Sequence, residues 1–333
     1  MRVLVTGGRG LLGSAVVTAL ADAEWDVTSF QRTSAGHAPP VQEVLGDVTD
    51  PEAVRRVMAG QDAVVHLAAR VSMVGPYEDF RRVNVDGTRL VLDAARAAGV
   101  GRFVHVSSPS VAHAGEPLIG VGATAADPSH ARGSYARSKA EAELLALSCS
   151  APGFSVTAVR PHLVWGPGDT QLIGRIAERA RAGRLVLVDD GAALIDTTYV
   201  TNAADAIVAA LVRCELPEVA GRPWVVTNGE PRTVAELVTR IARAAGAAPP
   251  TRHVPFPVAR AAGAAIERAW VRSGRPDEPP LTAFVAEQLA TAHWFDQRQT
   301  HSALNWRPRI GIDEGLDRLA SWFGTSSGGV SQR

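Results

Sequence analysis

Tyr135 and Lys139 stand four positions apart in a segment of helical pattern, so their side chains share one face. A phenol ionises near pH ~10 and is a weak acid at neutral pH. A neighbouring ammonium stabilises the phenolate, which eases proton transfer to a carbonyl oxygen. Lys139 is also exceptional in composition: of the 34 lysines and arginines, it is the single lysine. A chain that uses arginine wherever a cation will serve marks its one lysine as a candidate for a compact, three-donor role. The alternative is chance survival, and the position argues against it, because one of only three tyrosines lies one helical turn away.

Upstream, the run Phe103-Val104-His105-Val106 reads as a strand that ends in Ser107, Ser108 and Ser110. Hydroxyls at the carboxyl edge of a parallel sheet lie where ligands of such sheets bind. One of them can donate to the oxygen beside Tyr135, while Ser107 or Ser110 can equally cap a turn. The nine histidines show no metal-ligand spacing, so no metal site is expected. No G-x-S-x-G occurs, which removes the usual hydrolase elbow.

The segment from Thr6 to Gly13 follows an apolar strand and opens a helix. Gly8, Gly10 and Gly13 satisfy G-x-G-x-x-G, and Gly7, Gly10 and Gly13 satisfy a wider spacing. Such glycines permit a tight turn, a close approach of backbone to a pyrophosphate, and packing of the helix on the strand. The amides of Leu11 and Leu12 open that helix. An NAD site usually ends the second strand with an acidic ribose ligand. Here Ser29-Phe30-Gln31-Arg32 carries none, and Arg32, with Arg9 from the glycine turn, suits a 2′-phosphate. NADP is therefore expected over NAD. Asp47, followed by Val48, ends the third strand as an acceptor for an adenine amino group or as a turn residue.

These groups need elements to hold them. Strand patterns at 2–6, 26–30, 41–45, 63–67, 102–107 and 155–160 alternate with helical patterns at 11–21, 51–59, 80–98 and 134–147. Continuous apolar strands alternating with helices predict an α/β fold, a Rossmann-type doubly wound parallel sheet, with a smaller C-terminal substrate-binding lobe. The expected division is 1–165 for the cofactor-binding domain and 166–323 mainly for the lobe, with 195–214 returning to the first domain and 324–333 frayed. Asn202, with Asp205 after it, resembles a helix N-cap with an acidic third residue.

Composition excludes several classes. With 34 basic and 34 acidic residues there is no positive excess to neutralise nucleic-acid phosphates. Two cysteines, Cys149 and Cys214, lie far apart and give no disulfide framework or structural zinc site. An apolar strand starting at residue 2 predicts no secretion leader, no apolar run is long enough to span a bilayer, and a reducing cytoplasm is expected. The apolar helix at 257–271 carries Arg260, Glu267 and Arg268; packing against the protein is favoured over peripheral membrane contact.

As a set, T-G-G-x-G-x-x-G, Gly46-Asp47-Val48, His66-Leu67-Ala68-Ala69, Asn84-Val85-x-Gly87-Thr88, Ser107-Ser108, Tyr135-x-x-x-Lys139, the stretch from Arg160 to Asp169 and Asn305-Trp306-x-Pro308 resemble the extended short-chain dehydrogenase/reductases over nearly the whole chain. The resemblance implies that Ser108 is the catalytic serine, Tyr135 the proton donor, Lys139 its partner and Asn84 a supporting helix residue. It places Leu67, Ala68, Ala69, Pro161 and His162 along the cofactor, the last two beside the nicotinamide, and Tyr135 and Lys139 against it as well. It also implies a homodimer through the helices 80–98 and 134–147; the apolar stripe of Leu90, Val91, Ala94 and Ala98 is consistent with that interface and would also suit packing on the sheet.

The segments 196–200, 227–231 and 284–290 are similar to the 3β-hydroxysteroid dehydrogenase-like branch, and 165–169 with 291–296 to the bacterial olefin-biosynthesis reductases, which reduce 2-alkyl-3-oxoalkanoic acids with NADPH. The implied reaction is reduction of a long-chain β-keto acid, within a pathway of partner enzymes. Arg70, His162 and Arg175 are candidate carboxylate partners. Trp165, Phe256, Trp270, Phe284 and Trp294 are candidate pocket walls, each with a core role as the favoured alternative. Rival readings are a sterol dehydrogenase, a nucleotide-sugar epimerase and a non-catalytic sensor. The sequence departs from the sugar enzymes and 3β-dehydrogenases at Val111-Ala112-His113, where Val-Tyr-Gly or Val-Ala-Gly is common.

Overall fold

The computed structural model describes residues 1–328 apart from Met73, Ala114, Gly274 and Pro276, with side chains described as far as Thr325. Residues 329–333, the end of the expected tail, lie outside the described residues.

The first half runs β1 (Arg2–Thr6), α1 (Leu11–Asp22), β2 (Asp26–Gln31), β3 (Gln42–Leu45), α2 (Pro51–Met58), β4 (Ala63–His66), α3 (Tyr77–Phe80), a π-helical turn (Arg81–Asp86), α4 (Gly87–Ala97), β5 (Arg102–Val106), a 3₁₀ turn (Pro109–Ala112), β6 (Leu118–Val121), α5 (Gly133–Ser148) and β7 (Ser155–Pro161). The second half runs β8 (Val164–Trp165), α6 (Leu172–Arg181), β9 (Val186–Val188), β10 (Leu194–Ile195), β11 (Thr198–Tyr199), α7 (Val200–Arg213), β12 (Pro223–Val226), β13 (Arg232–Thr233), α8 (Val234–Ala244), β14 (Arg252–Val254), α9 (Phe256–Ser273), α10 (Ala283–Ala290), β15 (His293–Phe295), α11 (Arg298–Leu304) and α12 (Ile312–Gly328).

Seven parallel strands form one sheet in the order β12-β7-β5-β4-β1-β2-β3. Their continuous apolar runs are explained by cover on both faces. Val16, Val17 and Leu20 of α1 and Ile207 and Leu211 of α7 bury one face. Val54 and Met58 of α2, Val91, Leu92 and Ala95 of α4 and Ala146 of α5 bury the other. The chain builds outward from β1 to β3 and then returns to β4 on the other side of β1. This reversal opens a crevice at the carboxyl ends of β1 and β4, where ligands of such sheets bind. The glycine turn follows β1, and Leu67 to Ala69 follow β4.

Several expectations change. Besides α7, strand β12 also returns from the second half, as an edge strand of the main sheet. The helix expected over 80–98 contains the π-helical turn. Asn202 does not cap α7. It lies inside the helix, buried, with Nδ2 donating to Asn228 Oδ1 and the Ile310 carbonyl, while its Oδ1 accepts from the amides of Arg309 and Ile310. A polar amide is tolerated there because it satisfies backbone groups of the chain that passes over the helix. Residues 324–328, expected to fray, continue α12. Of the apolar stripe on this helix, Val91 and Ala94 pack inward in a core cluster, the second of the two roles the sequence allowed, while Ala98 is exposed.

Smaller sheets and helices α6, α8 and α12 make the lobe, whose core holds Trp165, Tyr199, Leu237, Leu316 and Leu319. Helix α9 buries only Ala259 and Gly263 and lies against α10, which joins the lobe by packing Leu289 on its core. Among the described residues no helix is long and apolar enough to cross a membrane.

Candidate active site

The glycine turn divides by physical cause. Gly7 adopts φ +79°, and a Cβ there would stand 2.8 Å from the Ala68 amide nitrogen. A Cβ at Gly8 would lie 2.1 Å from Ser29 Oγ, and one at Gly13 would lie 2.2 Å from the Gly7 carbonyl oxygen. Packing therefore demands these three. Gly10 is different: its φ is −65°, and a Cβ would meet only the Gly7 carbonyl oxygen, at 3.7 Å. The protein itself does not need glycine there, whereas a ligand lying against the backbone does. Gly10 also begins α1 with no side chain capping the helix, so the first amides, including those of Leu11 and Leu12, are free of side-chain acceptors. Such a helix end favours an anion. This cradle fits a dinucleotide pyrophosphate.

At the end of β2, Arg32 is exposed, and Arg9 Nη1 donates to Thr33 Oγ1 at 3.0 Å. Both arginines thus border the same loop. A carboxylate does reach this place, from the neighbouring strand. Glu43 of β3 accepts from Gln31 Nε2 (3.1 Å), Ser34 Oγ (2.5 Å) and the Ala35 amide (2.8 Å). The hydrogen bond from Ser34 first, and then those from the Ala35 and His37 amides, hold its carboxyl below the usual range despite partial desolvation. Glu43 folds the loop and its acceptors are in use. Reading β2 alone missed it, and the Ser29–Glu43 register supplies the signal. Asp47 Oδ1 accepts from the Thr49 amide and hydroxyl, both at 2.9 Å, and so closes a turn; Val48 beside it is buried.

Across the crevice, Thr6, His66 and His105 are register partners on β1, β4 and β5. His66 Nδ1 lies 2.7 Å from Thr6 Oγ1 and Nε2 lies 2.9 Å from Thr88 Oγ1. The Ala68 amide donates to Thr6 Oγ1, which fixes the Leu67-Ala68-Ala69 segment beside the glycine turn. Burial, and after it the Lys139 charge, pushes His66 down to about 3, so its ring is neutral. Asn84 lies in the π-helical turn and is buried. Its Oδ1 accepts from the Arg70 amide at 2.7 Å, and its Nδ2 donates to the Arg70 carbonyl at 3.2 Å and to Ser138 Oγ at 2.9 Å. Asn84 therefore ties the chain after β4 to α5, one residue before Lys139. π-Helical turns frequently mark functional sites.

Tyr135, Lys139 and Glu143 repeat every four residues along α5. Lys139 Nζ donates to the Val106 carbonyl at 2.7 Å and lies 3.5 Å from His105 Nε2. Val106 ends β5, two residues before Ser108, so the lysine fastens the tyrosine helix to the serine strand. Val111 of the 3₁₀ turn packs on Ala140 and completes the junction. Ser108 caps that turn: its Oγ accepts from the Ser110 amide (3.3 Å) and hydroxyl (3.0 Å), which leaves its own proton to donate.

The expected effect of lysine on tyrosine is not what the ligand-free geometry gives. Burial pushes the Tyr135 phenol up to about 12. Burial also pushes Lys139 down to about 8, opposed by the Glu143 charge. Desolvation outweighs attraction because the ammonium is turned to the Val106 carbonyl. Glu143 is fully buried with Arg160 of β7. Arg160 Nε donates to Glu143 Oε2 at 2.8 Å, Nη2 donates to Oε1, and Nη1 donates to the Thr124 carbonyl at 2.7 Å. Sequence reasoning missed this pair, although Glu143 repeats the Tyr135/Lys139 interval.

The candidate substrate contacts separate. His162 is buried: Nδ1 lies 2.5 Å from the Asp196 carbonyl oxygen, and the ring packs between His293 and Phe295. Burial pushes it down to about 3, so it carries no charge for a carboxylate, which removes it as a cationic partner. Pro161 ends β7 beside it, and Leu163 follows with φ +42°. Arg70 is exposed, 3.7 Å from Asp79 and over the Phe80 ring. Arg175 Nη2 donates to Gln171 Oε1 at 3.4 Å. Trp165 is core, with Nε1 donating to Thr197 Oγ1. Phe256 packs in a small cluster with Ala259 and Ala286, and Trp270 is bonded to the Asp277 carbonyl under Arg275. Trp294 lines a surface groove of about 440 Å³ with Gly120 and Arg298. Phe284 alone meets the serine segment, at His113. No group of metal-ligating side chains occurs among the described residues.

Residues 3–224 match the NAD dependent epimerase/dehydratase family. The chain belongs to that family. It is 41% identical over 327 residues to a 2-alkyl-3-oxoalkanoate reductase of Stenotrophomonas maltophilia, covering 96% of this chain and 98% of that protein. It is 30% identical to a 3 beta-hydroxysteroid dehydrogenase/Delta 5-->4-isomerase of Mycobacterium tuberculosis, covering 97% and 90%. A short-chain dehydrogenase/reductase superfamily protein of Agrobacterium tumefaciens, solved with bound NAD, shares the fold with a TM-score of 0.75 and 22% identity over the whole of both chains. The family depends on a nicotinamide cofactor, and this member is an enzyme of the oxidoreductase kind, with reductases among its relatives.

Proposed function

We propose that the chain reduces the ketone of a long-chain 2-alkyl-3-oxoalkanoic acid to the 3-hydroxy acid, using NADPH. The observation that carries the chemistry is the hydrogen bond from the sole lysine to the Val106 carbonyl, which binds the Tyr135 helix to the Ser108 strand. The similarity to the Stenotrophomonas reductase over nearly all of both chains supports the substrate class.

The Gly7–Gly13 turn with the Leu11 and Leu12 amides would hold the pyrophosphate, and Arg32 with Arg9 the 2′-phosphate. Asp47 and Val48 would border the adenine, Leu67, Ala68 and Ala69 the middle of the dinucleotide, and Pro161 and His162 the nicotinamide end. When bound, the reduced nicotinamide supplies a hydride to the carbonyl carbon. Ser108 donates a hydrogen bond from its free hydroxyl to the carbonyl oxygen and orients it, keeping its own proton. Tyr135, kept protonated by burial, gives its proton to the same oxygen. Lys139 compensates the phenolate left behind and offers donors to the ribose. Asn84 holds the Arg70 backbone and Ser138 so that this face of α5 stays in register. We further propose a homodimer through α4 and α5, where Leu144 stands exposed on α5.

The test is NADPH consumption with β-keto acids, sterols and UDP-sugars offered separately, with the product identified by mass. Turnover of β-keto acids, and its loss by about 10²- to 10⁴-fold in Tyr135→Phe with cofactor binding kept, is the expected result. Turnover confined to sterols or UDP-sugars would overturn the substrate, and near wild-type rates in Tyr135→Phe would overturn the proton donor.

A further inference from the structure

Helix α10 places a carboxylate where an apolar residue would be expected. Among its buried residues are Ala286 and Glu287. A buried carboxylate is costly unless paired, and Glu287 has partners from two other elements. Arg132 Nη2 donates to Oε1 at 2.7 Å and to Oε2 at 2.8 Å, and Arg260 Nε of α9 donates to Oε1 at 2.9 Å. Arg132 is the residue from which α5 starts, three before Tyr135. The next side chain on α10 points to the other half of the site. Gln288 Nε2 lies 2.9 Å from His113 Nε2. His113 closes the 3₁₀ turn whose opposite end is capped by Ser108. Its ring also meets Phe284, one helical turn before Gln288, with centroids 6.5 Å apart. A glycine at position 113 would give Gln288 nothing to hold.

We infer that Glu287 and Gln288 are positioning residues: adjacent side chains of one lobe helix that set the spacing between the Tyr135 helix, through Arg132, and the Ser108 turn, through His113. A carbonyl oxygen that accepts from both Ser108 and Tyr135 needs these two donors at fixed separation; the Lys139–Val106 bond and the Val111–Ala140 contact hold the inner parts of the two segments, and α10 holds their outer ends at Arg132 and His113. The lobe thereby sets catalytic geometry as well as enclosing substrate. This inference rests on the ketone-reduction reading for its catalytic consequence, although the attachments themselves do not.

The test is hydrogen–deuterium exchange of the full chain, wild type against Glu287→Gln, Arg132→Gln and Gln288→Ala, alongside kinetics. Glu287→Gln and Arg132→Gln should both speed exchange at 132–136 by about fivefold or more and leave 109–113 unchanged, while Gln288→Ala should do the reverse. The glycine turn should exchange as in wild type, and NADPH affinity should stay within about twofold. On a substrate the wild type reduces, kcat/KM should fall about tenfold in Glu287→Gln and in Gln288→Ala, mainly through kcat. Unchanged exchange in both segments would overturn the inference. So would a uniform rise that includes the glycine turn, because that marks general destabilisation. If the exchange pattern holds and the wild type reduces no ketone, the attachments stand and the ketone reading falls instead.

Discussion

Lys139 Nζ donates to the carbonyl of Val106 at 2.7 Å, and this bond joins the helix of Tyr135 to the strand that leads into Ser108. It also buries an ammonium, whose ionisation falls to about 8. Below that value Lys139 is charged; above it the proton is lost and a developing phenolate at Tyr135 has no counter-ion. The rate of reduction should therefore decline as pH rises through about 8, while Tyr135, at about 12, remains protonated. A pH profile of kcat/KM checks this, and a profile flat to pH ~10, the free phenol's range, would contradict it.

Lys139→Arg keeps the charge and has similar helix propensity, so the fold should survive by circular dichroism. A planar guanidinium is wider and presents its donors in a fixed fork, which suits neither the Val106 carbonyl nor the space beside His105. We expect kcat/KM to fall about 10²-fold or more, roughly 3 kcal/mol. Efficiency near wild type would mean that any cation serves.

Gly10→Ala separates ligand from fold. The added methyl would meet only the Gly7 carbonyl oxygen at 3.7 Å, so thermal stability should change little. Cofactor affinity should drop by about tenfold or more, because the methyl occupies the approach of the pyrophosphate. Gly13→Ala should instead lower stability, since its methyl would lie 2.2 Å from the Gly7 carbonyl oxygen. Equal cofactor affinity in Gly10→Ala and wild type, by titration, would refute the cradle.

Arg32 is exposed at the end of β2, while Glu43, the nearby carboxylate, is engaged by Ser34, Ala35 and Gln31. NADPH should therefore bind more tightly than NADH, and Arg32→Asp should reverse part of that preference. Fluorescence titration of both cofactors decides it. Tighter NADH binding by the wild type would show that Glu43 exchanges its loop partners for the ribose.

The Glu143–Arg160 pair is fully buried. Glu143→Gln should leave an uncompensated guanidinium in the core and cost about 3–5 kcal/mol, read by denaturant unfolding. A loss of less than about 1 kcal/mol would show that the Thr124 carbonyl alone satisfies Arg160.

Local signals carried the fold and the motifs of the candidate site. Runs such as Val3-Leu4-Val5 and Ala63-Val64-Val65 must be covered on both faces, and the helices between them supply that cover, so the parallel sheet follows from pattern alone. The glycine turn and the Tyr135/Lys139 interval each span only a few residues, and short-range geometry is encoded in spacing. What pairs across the sheet or between halves is not. Glu43 lies beside Ser29 only because β2 and β3 pair in that register. Arg160 sits in an apolar strand, and Asn202 reads as a cap until the chain at Ile310 passes over it. The ionisation of Tyr135 and Lys139 depends on burial, a property of neighbours that come from distant parts of the chain. Glu287 meets Arg132 across 155 positions of sequence. Composition and periodicity report what each segment must do with its own faces; which distant charge answers a buried one is decided only when the chain has closed on itself and removed the water that would otherwise have answered it.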